Sequence, residues 1–216
     1  MPIISAQYST TKAIVLKSLL FFLIYGLLAG CTPSPSLPKL TDHSTIIAFG
    51  DSLTVGVGTS RENSYPQVLE ALTGLSVINA GISGETTTGG LKRFQQVLNQ
   101  YQPTIVILME GGNDILQNHP REQTQQNLAK MIEIAQDNQI AIVLIGVPEK
   151  KLFSQSAPLY QELAEKYELV FEPEILSQLL RNPNMKSDPV HLNREGYSQL
   201  ANRIFERLKN HGALTD

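Results

Sequence analysis

The chain has 216 residues, 42% of them hydrophobic and 17% charged, with a formal net charge of −3, one cysteine and no tryptophan. That length buries a core without disulfide or metal staples, and a lone cysteine excludes a disulfide framework and any multi-cysteine zinc site. The apolar content excludes wholesale disorder, and the mildly acidic balance offers no electrostatic footprint for nucleic acid.

In residues 1–30, Lys12 and Lys17 are the only charged side chains, and an apolar run follows from Leu19 to Leu28. The run is short for a bilayer span but has the length of a signal-peptide apolar region. It ends in Leu28-Ala29-Gly30-Cys31. Small residues directly before a cysteine resemble the bacterial lipobox, which implies a signal peptide over 1–30 and a diacylated Cys31 at the mature amino end. Acyl chains hold a protein to a bilayer at roughly 0.8 kcal/mol per buried methylene. A buried core cysteine and an uncleaved amino-terminal anchor are the alternatives. The proline- and serine-rich stretch from Thr32 to Pro38 reads as a tether over 31–40, ahead of a folded domain over 41–212. Localisation in a bacterial cell envelope follows. Thr32, in place of an inner-membrane retention aspartate, tilts it toward the outer membrane or periplasmic side.

Apolar runs recur at Ile46–Phe49, Leu75–Ile78, Ile105–Met109, Ile140–Val147 and Leu169–Phe171. They are nearly continuous rather than alternating, as in strands buried on both faces of a parallel sheet. Helical stripes lie between and after them: Tyr65, Val68, Leu69 and Leu72; then Leu128, Met131, Ile132 and Ala135; then Tyr197, Leu200, Ala201, Ile204, Phe205 and Leu208. The pattern predicts an α/β fold, a three-layer doubly wound sandwich around a five-stranded parallel sheet with right-handed crossovers. Functional residues in such a sheet gather beyond the carboxyl ends of its strands.

Gly50-Asp51-Ser52-Leu53 follows the first run. A serine in that turn can act as nucleophile if a histidine takes its proton, although alone it fits a helix cap equally well. Asp188 stands three residues before His191, a spacing at which the carboxylate can accept the Nδ1–H bond and leave Nε2 facing a serine. Either residue alone also fits a loop or turn role. His43 and His211 border the tether and the carboxyl tail and are expected to be exposed. His119 is the rival base, with no acid at comparably useful spacing. For oxyanion donors, Asn79 to Thr86 offers Gly81 or Gly84, and Gly111-Gly112-Asn113-Asp114 offers the Asn113 amide.

These four blocks, in this order and each after the expected strand, resemble the SGNH (GDSL-type) hydrolase family, close to its bacterial thioesterase, arylesterase and lysophospholipase branch. The resemblance spans Thr45 to Leu208 and implies a flavodoxin-like fold. It implies Ser52 as nucleophile, His191 as base and Asp188 as its orienting acid, with the Ser52 N–H, Gly84 and Asn113 as oxyanion donors; Gly81 is the weaker alternative to Gly84. Two positions depart from the pattern. Glu110 stands where the family more often has an apolar residue, and a carboxylate there would repel anionic substrates or form a buried pair. Leu192 replaces a proline that often follows the histidine, a change expected to affect loop stiffness.

The reaction so implied is hydrolysis of a carboxylic ester or thioester through an acyl-enzyme, its rate rising as His191 loses its proton. Leu116, Leu152 and Phe153 are candidate linings of an acyl pocket, and their character favours a small acyl ester or lysolipid. A carbohydrate O-deacetylase and a non-catalytic binding lipoprotein are the alternatives. No cofactor or metal is expected, since metal-ligand spacings and glycine-rich phosphate motifs are missing. The chain is expected to be a monomer whose one membrane contact runs through Cys31.

Overall fold

The computed structural model describes residues 34–149 and 155–214. Residues 1–30, where a signal peptide is expected, and Cys31 lie outside the described residues, as do Leu152 and Phe153. The compact unit runs from Pro35.

Five strands form one parallel sheet: β1 (Thr45–Gly50), β2 (Ser76–Gly81), β3 (Ile105–Met109), β4 (Ala141–Ile145) and β5 (Val170–Glu172), in the order β2-β1-β3-β4-β5. The central strands β1 and β3 are built from β-branched and other apolar residues because both faces are covered; β3 is buried at all five positions. β2 differs. It is an edge strand with exposed and half-buried positions, so its apolar run is the least continuous. Chain order reverses between β1 and β3, which opens a crevice beyond their carboxyl ends.

Eight α-helices among the described residues cover the sheet: α1 (Ser52–Val55), α2 (Tyr65–Thr73), α3 (Thr87–Tyr101), α4 (Gly112–Leu116), α5 (Arg121–Asp137), α6 (Pro158–Lys166), α7 (Ile175–Arg181) and α8 (Arg194–Asn210). Contacts of α2 and α7 with α8 make one layer, and contacts of α3 and α6 with α5 make the other. The apolar stripes behave as core. Leu128, Met131, Ile132 and Ala135 of α5 are buried, as are Tyr197, Leu200, Ala201, Ile204 and Leu208 of α8, while Leu72 at the end of α2 is exposed instead. Glu172 at the end of β5 is a buried carboxylate with its partners in place. It accepts Arg207 Nε at 2.6 Å and the N–H groups of Glu174 and Ile175, which seats the start of α7.

The expected tether is corrected over its described part. Leu37 and Leu40 are buried, and their N–H groups donate to the carbonyl oxygens of His211 and Ala213, each at 2.8 Å. His211 is half-buried, with Nδ1 2.7 Å from the Pro35 carbonyl oxygen. Two leucines three residues apart cover the end of α8, so the folded unit begins near Pro35 rather than Thr41 and ends beyond residue 212, with Ala213 buried. No helix among the described residues is long and apolar enough to cross a membrane.

Candidate active site

β1 ends at Gly50 and the chain turns directly into α1. Asp51 is the N-cap of that helix, its Oδ1 accepting the Leu53 N–H at 3.0 Å. Ser52 is therefore the first helical residue, where a backbone N–H has no intrahelical acceptor. Asn79 on β2 braces the turn: its Nδ2 donates to the Thr54 carbonyl at 2.8 Å and its Oδ1 accepts the Gly81 N–H at 3.0 Å.

His191 sits in the segment before α8, and both sides of it are pinned. Asn193 caps α8 by accepting the Gly196 N–H at 3.0 Å and donates to the Asn184 carbonyl at 2.8 Å. Asp188 Oδ1 accepts the N–H groups of Val190 and His191, each at 2.9 Å. Its Oδ2 lies 2.7 Å from His191 Nδ1, and His191 Nε2 lies 3.0 Å from Ser52 Oγ. The bond with His191, followed by the Val190 N–H, holds the Asp188 carboxyl below the usual carboxylate range. An ionised acceptor on Nδ1 favours the tautomer whose Nε2 can take a proton.

Leu192 does more than alter loop stiffness. Its side chain is fully buried, its backbone bridges Lys186, and the chain on either side of it reaches the turn after α1, where the Leu192 carbonyl oxygen lies within 2.5 Å of where a Cβ on Gly58 would stand. The Tyr197 hydroxyl donates to the Val57 carbonyl at 2.7 Å, joining α8 to the turn after α1.

Gly84 and Asn113 line the same cleft as Ser52 and His191, a space of about 730 Å³. Gly84 has φ +78°, a region that favours glycine. Among the described residues, the N–H groups of Ser52 and Gly84 make no hydrogen bond, whereas that of Gly81 is taken by Asn79. The turn carrying Gly84 is fastened by the Glu85–Arg93 ion pair and by Asn113, whose Nδ2 donates to the Glu85 carbonyl at 2.8 Å. A second, longer contact of 3.3 Å runs from Asn113 Nδ2 to Asp51 Oδ2. Burial pushes the Asp51 carboxyl up to about 6, against the opposing effects of the Leu53 N–H and the nearby His191.

Of the two expectations for Glu110, repulsion of anionic substrates or a buried pair, the structure shows burial but no pair. Its side chain is fully buried outside the cleft and has no ion pair; Oε2 accepts the Gly111 N–H at 3.3 Å, while Oε1 has no partner. Burial, then the nearby Asp51, Glu85 and Asp114, raises its pKa well above the ordinary glutamate value, which favours the neutral acid. His119 does have an acid beside it, Asp114 Oδ1 at 3.6 Å from Nδ1, but it lies exposed outside the cleft. His43 is exposed, as expected.

Several contributors escaped sequence reasoning. Asp114 is buried and receives the Thr87 N–H at 2.8 Å and the Thr87 hydroxyl at 2.6 Å, so it anchors the start of α3 to the Asn113 loop. Leu116 does line the cleft, but so do Ile115, Val147 and, from beyond β5, Leu180, Arg181 and Lys186. A helix-start aspartate was a readable signal for Asp51. Nothing local marks the residues after β5. No cluster of three or more potential metal ligands occurs among the described residues.

Comparison with known proteins shows the family. Residues 48–199 match the GDSL-like lipase/acylhydrolase family. The chain is 32% identical over 177 residues to an arylesterase of Vibrio mimicus, covering 77% of this chain and 88% of that protein. It is 28% identical over 173 residues to thioesterase 1/protease 1/lysophospholipase L1 of Escherichia coli, covering 76% and 83%. Of solved structures, the SGNH-hydrolase family esterase AlinE4 superposes with a TM-score of 0.63 at 31% identity, over 80% of this chain and 98% of that one. The chain belongs to the GDSL-like lipase/acylhydrolase family and is an ester hydrolase of the SGNH type.

Proposed function

We propose that the chain hydrolyses carboxylic esters and thioesters of short to medium acyl chains through a Ser52–His191–Asp188 triad. The observation that carries this is the 3.0 Å separation of Ser52 Oγ and His191 Nε2, with Asp188 Oδ2 2.7 Å behind on Nδ1. Ser52 Oγ attacks the carbonyl carbon while His191 Nε2 takes its proton. The oxyanion is held by the N–H groups of Ser52 and Gly84 and by Asn113 Nδ2, whose long contact with Asp51 is the one a ligand oxygen displaces. His191 then returns the proton to the departing alkoxide or thiolate, leaving an acyl-enzyme at Ser52. Water, deprotonated by His191, releases the acid and restores the serine.

The apolar wall of Ile115, Leu116, Val147, Leu180 and Val190 favours an acyl chain longer than acetyl. Hydrolysis of p-nitrophenyl acetate, butyrate and octanoate, with Ser52→Ala as control, tests the reading. Preference for butyrate or octanoate, lost in Ser52→Ala, supports it. Strong preference for acetate points to a deacetylase, and equal rates in wild type and Ser52→Ala point to a binding lipoprotein.

Lipidation at Cys31 belongs to the same proposal and is supported by the sequence of residues 1–31. Cys31→Ser should release the protein from membranes or block its maturation. A membrane-bound wild-type chain that keeps residues 1–30 and carries no acyl mass on Cys31 makes the apolar run itself the anchor.

A further inference from the structure

Glu110 is a fully buried carboxyl for which the proposed chemistry has no use, and the fold makes room for it. Gly90 stands within α3, where glycine is a poor helix former, and a Cβ there would lie 3.0 Å from Glu110 Oε1 and 3.2 Å from the Phe49 ring. The oxygen in that opening has no partner among the described residues. An apolar side chain would fill the place without the penalty of a buried, unpaired polar atom.

The surrounding groups favour one form of the side chain. Asp51 faces it from the end of β1, Glu85 from the turn before α3 and Asp114 from α4, so a charge on Glu110 is opposed by burial and by three other acids. Arg93, 4.0 Å from the centroid of the Phe49 ring, is bound to Glu85 and to the Ala80 carbonyl oxygen. His119 stands by Asp114, and His191 acts on Asp51. Tyr160 of α6 donates its hydroxyl to the Glu110 carbonyl oxygen at 2.7 Å.

Glu110 holds the start of the loop that carries Asn113. Its Oε2 accepts the N–H of Gly111, which has φ +107° and is the N-cap of α4. Asn113 follows two residues later, its Nδ2 donating to the Glu85 carbonyl and, at longer range, to Asp51 Oδ2. A neutral carboxyl fixes this turn without adding charge. An ionised one sets a negative charge beside donors whose task is to stabilise negative charge, and it repels Asp51, which touches Asn113.

We propose that Glu110 is a positioning residue of the oxyanion loop that works only as the neutral acid: protonated, it fixes Gly111 and through it Asn113, and ionised, it weakens the hold of the loop on the oxyanion. This rests on the reading of Ser52 as nucleophile and Asn113 as oxyanion donor. The rate then falls as Glu110 loses its proton, opposite in sign to the rise as His191 loses its own.

The test measures kcat and KM of the full chain for p-nitrophenyl butyrate across the pH range in which circular dichroism shows it folded. The wild type should give a bell-shaped kcat profile that falls at least about 10-fold on its high-pH side, with little change in KM. Glu110→Gln keeps an acceptor for the Gly111 N–H and cannot ionise, so its kcat should stay within about 3-fold of the wild-type maximum and lose the falling limb. Glu110→Leu should also lose the limb, with kcat about 10-fold lower because the Gly111 N–H has no acceptor. A merely structural glutamate would change Tm in the variants and leave the shape of the profile alone. A wild-type profile without a fall, a fall retained in Glu110→Gln, or wild-type kcat in Glu110→Leu overturns the proposal.

Nitrogen–proton NMR of Ser52→Ala requires no turnover. The Gly111 N–H and Asn113 Nδ2 resonances should move in one pH step with Asp51, which survives Glu110→Gln, and in a second that does not. Absence of the second step overturns the proposal. Its presence in a protein whose wild type hydrolyses no ester overturns the nucleophile reading and supports the positioning role of Glu110.

Discussion

The hydroxyl of Tyr197 donates to the carbonyl oxygen of Val57 across 2.7 Å. One buried phenol thus links helix α8, which follows directly on the segment carrying His191, to the turn leaving Ser52. Tyr197→Phe keeps the ring but leaves the Val57 carbonyl without this partner. The expected cost is about 1–2 kcal/mol, a fall in Tm of roughly 3–8 °C. Loss of the bridge should also lower kcat for p-nitrophenyl butyrate. Unchanged Tm and kcat would show that the bridge holds nothing.

Gly58 marks the closest approach of the same two segments. Its φ is +99°, and a Cβ there would lie 2.1 Å from Ser187 Oγ and 2.5 Å from the Leu192 carbonyl oxygen. Gly58→Ala must push the His191 segment away from Ser52, and a displacement near 1 Å costs about 10²-fold in rate. Gly74 has φ +68° but nothing within 4 Å of a Cβ, so Gly74→Ala should cost only about 1 kcal/mol of stability and leave activity intact. Ester-hydrolysis rates and Tm measured on both variants separate displacement from simple backbone strain. Equal activity losses would contradict the account.

Asp188 acts in two ways, and substitution can part them. Oδ1 holds the loop through two N–H groups, while Oδ2 meets His191 Nδ1, the contact that orients the base in the proposed triad. Asp188→Asn keeps an acceptor for the loop but loses the charge. With its side chain 42% exposed, Asp188 is better screened than a buried triad aspartate. The expected fall in kcat is roughly 10²–10³, below the ~10⁴ of the buried case. Asp188→Ala should fall further and lower Tm as well. Identical kinetics for the two variants would remove the loop-holding role.

Asp51 gives a dependence of stability on pH whose sign is opposite to that of a salt-bridged acid. Its carboxyl ionises near 3.8 in the unfolded chain and at about 6 in the fold, because burial penalises the charge. Between those values the folded state holds a proton that the unfolded state has released, so this residue's contribution falls as pH rises from about 4 to about 6. It then stays at its lowest above that window, with a total change of up to about 3 kcal/mol. Asp51→Asn can still accept the Leu53 N–H and carries no titrating charge. Its Tm relative to wild type should therefore rise across that window. A constant difference in Tm from pH 4 to pH 8 would contradict the assignment.

Legibility in the sequence followed locality. β1 and β3 could be read because burial on both faces leaves an unbroken apolar run, and β2 less so because one flank is open. Helix α3 had no such signature. It opens with Thr87-Thr88-Gly89-Gly90, poor helix formers, and its start is held by Asp114 from 27 positions away. Asp188 and His191 announced each other because three residues suffice to bring them together. Ser52 lies 139 positions from His191, and only the ordering of the four motif blocks suggested that they meet. Tyr197 read as an ordinary core residue since nothing local reveals where its hydroxyl reaches. Leu37 and Leu40 were hidden by the prolines and serines around them.

The central claim is that Ser52 is the nucleophile and that His191 makes it so. Reaction of the full chain with a fluorophosphonate, followed by peptide mass mapping, tests it most directly. The account predicts one phosphonyl adduct on Ser52, no adduct in Ser52→Ala, and labelling at least about 10³-fold slower in His191→Ala. An adduct on another residue, or labelling of Ser52 at an undiminished rate without His191, would contradict it.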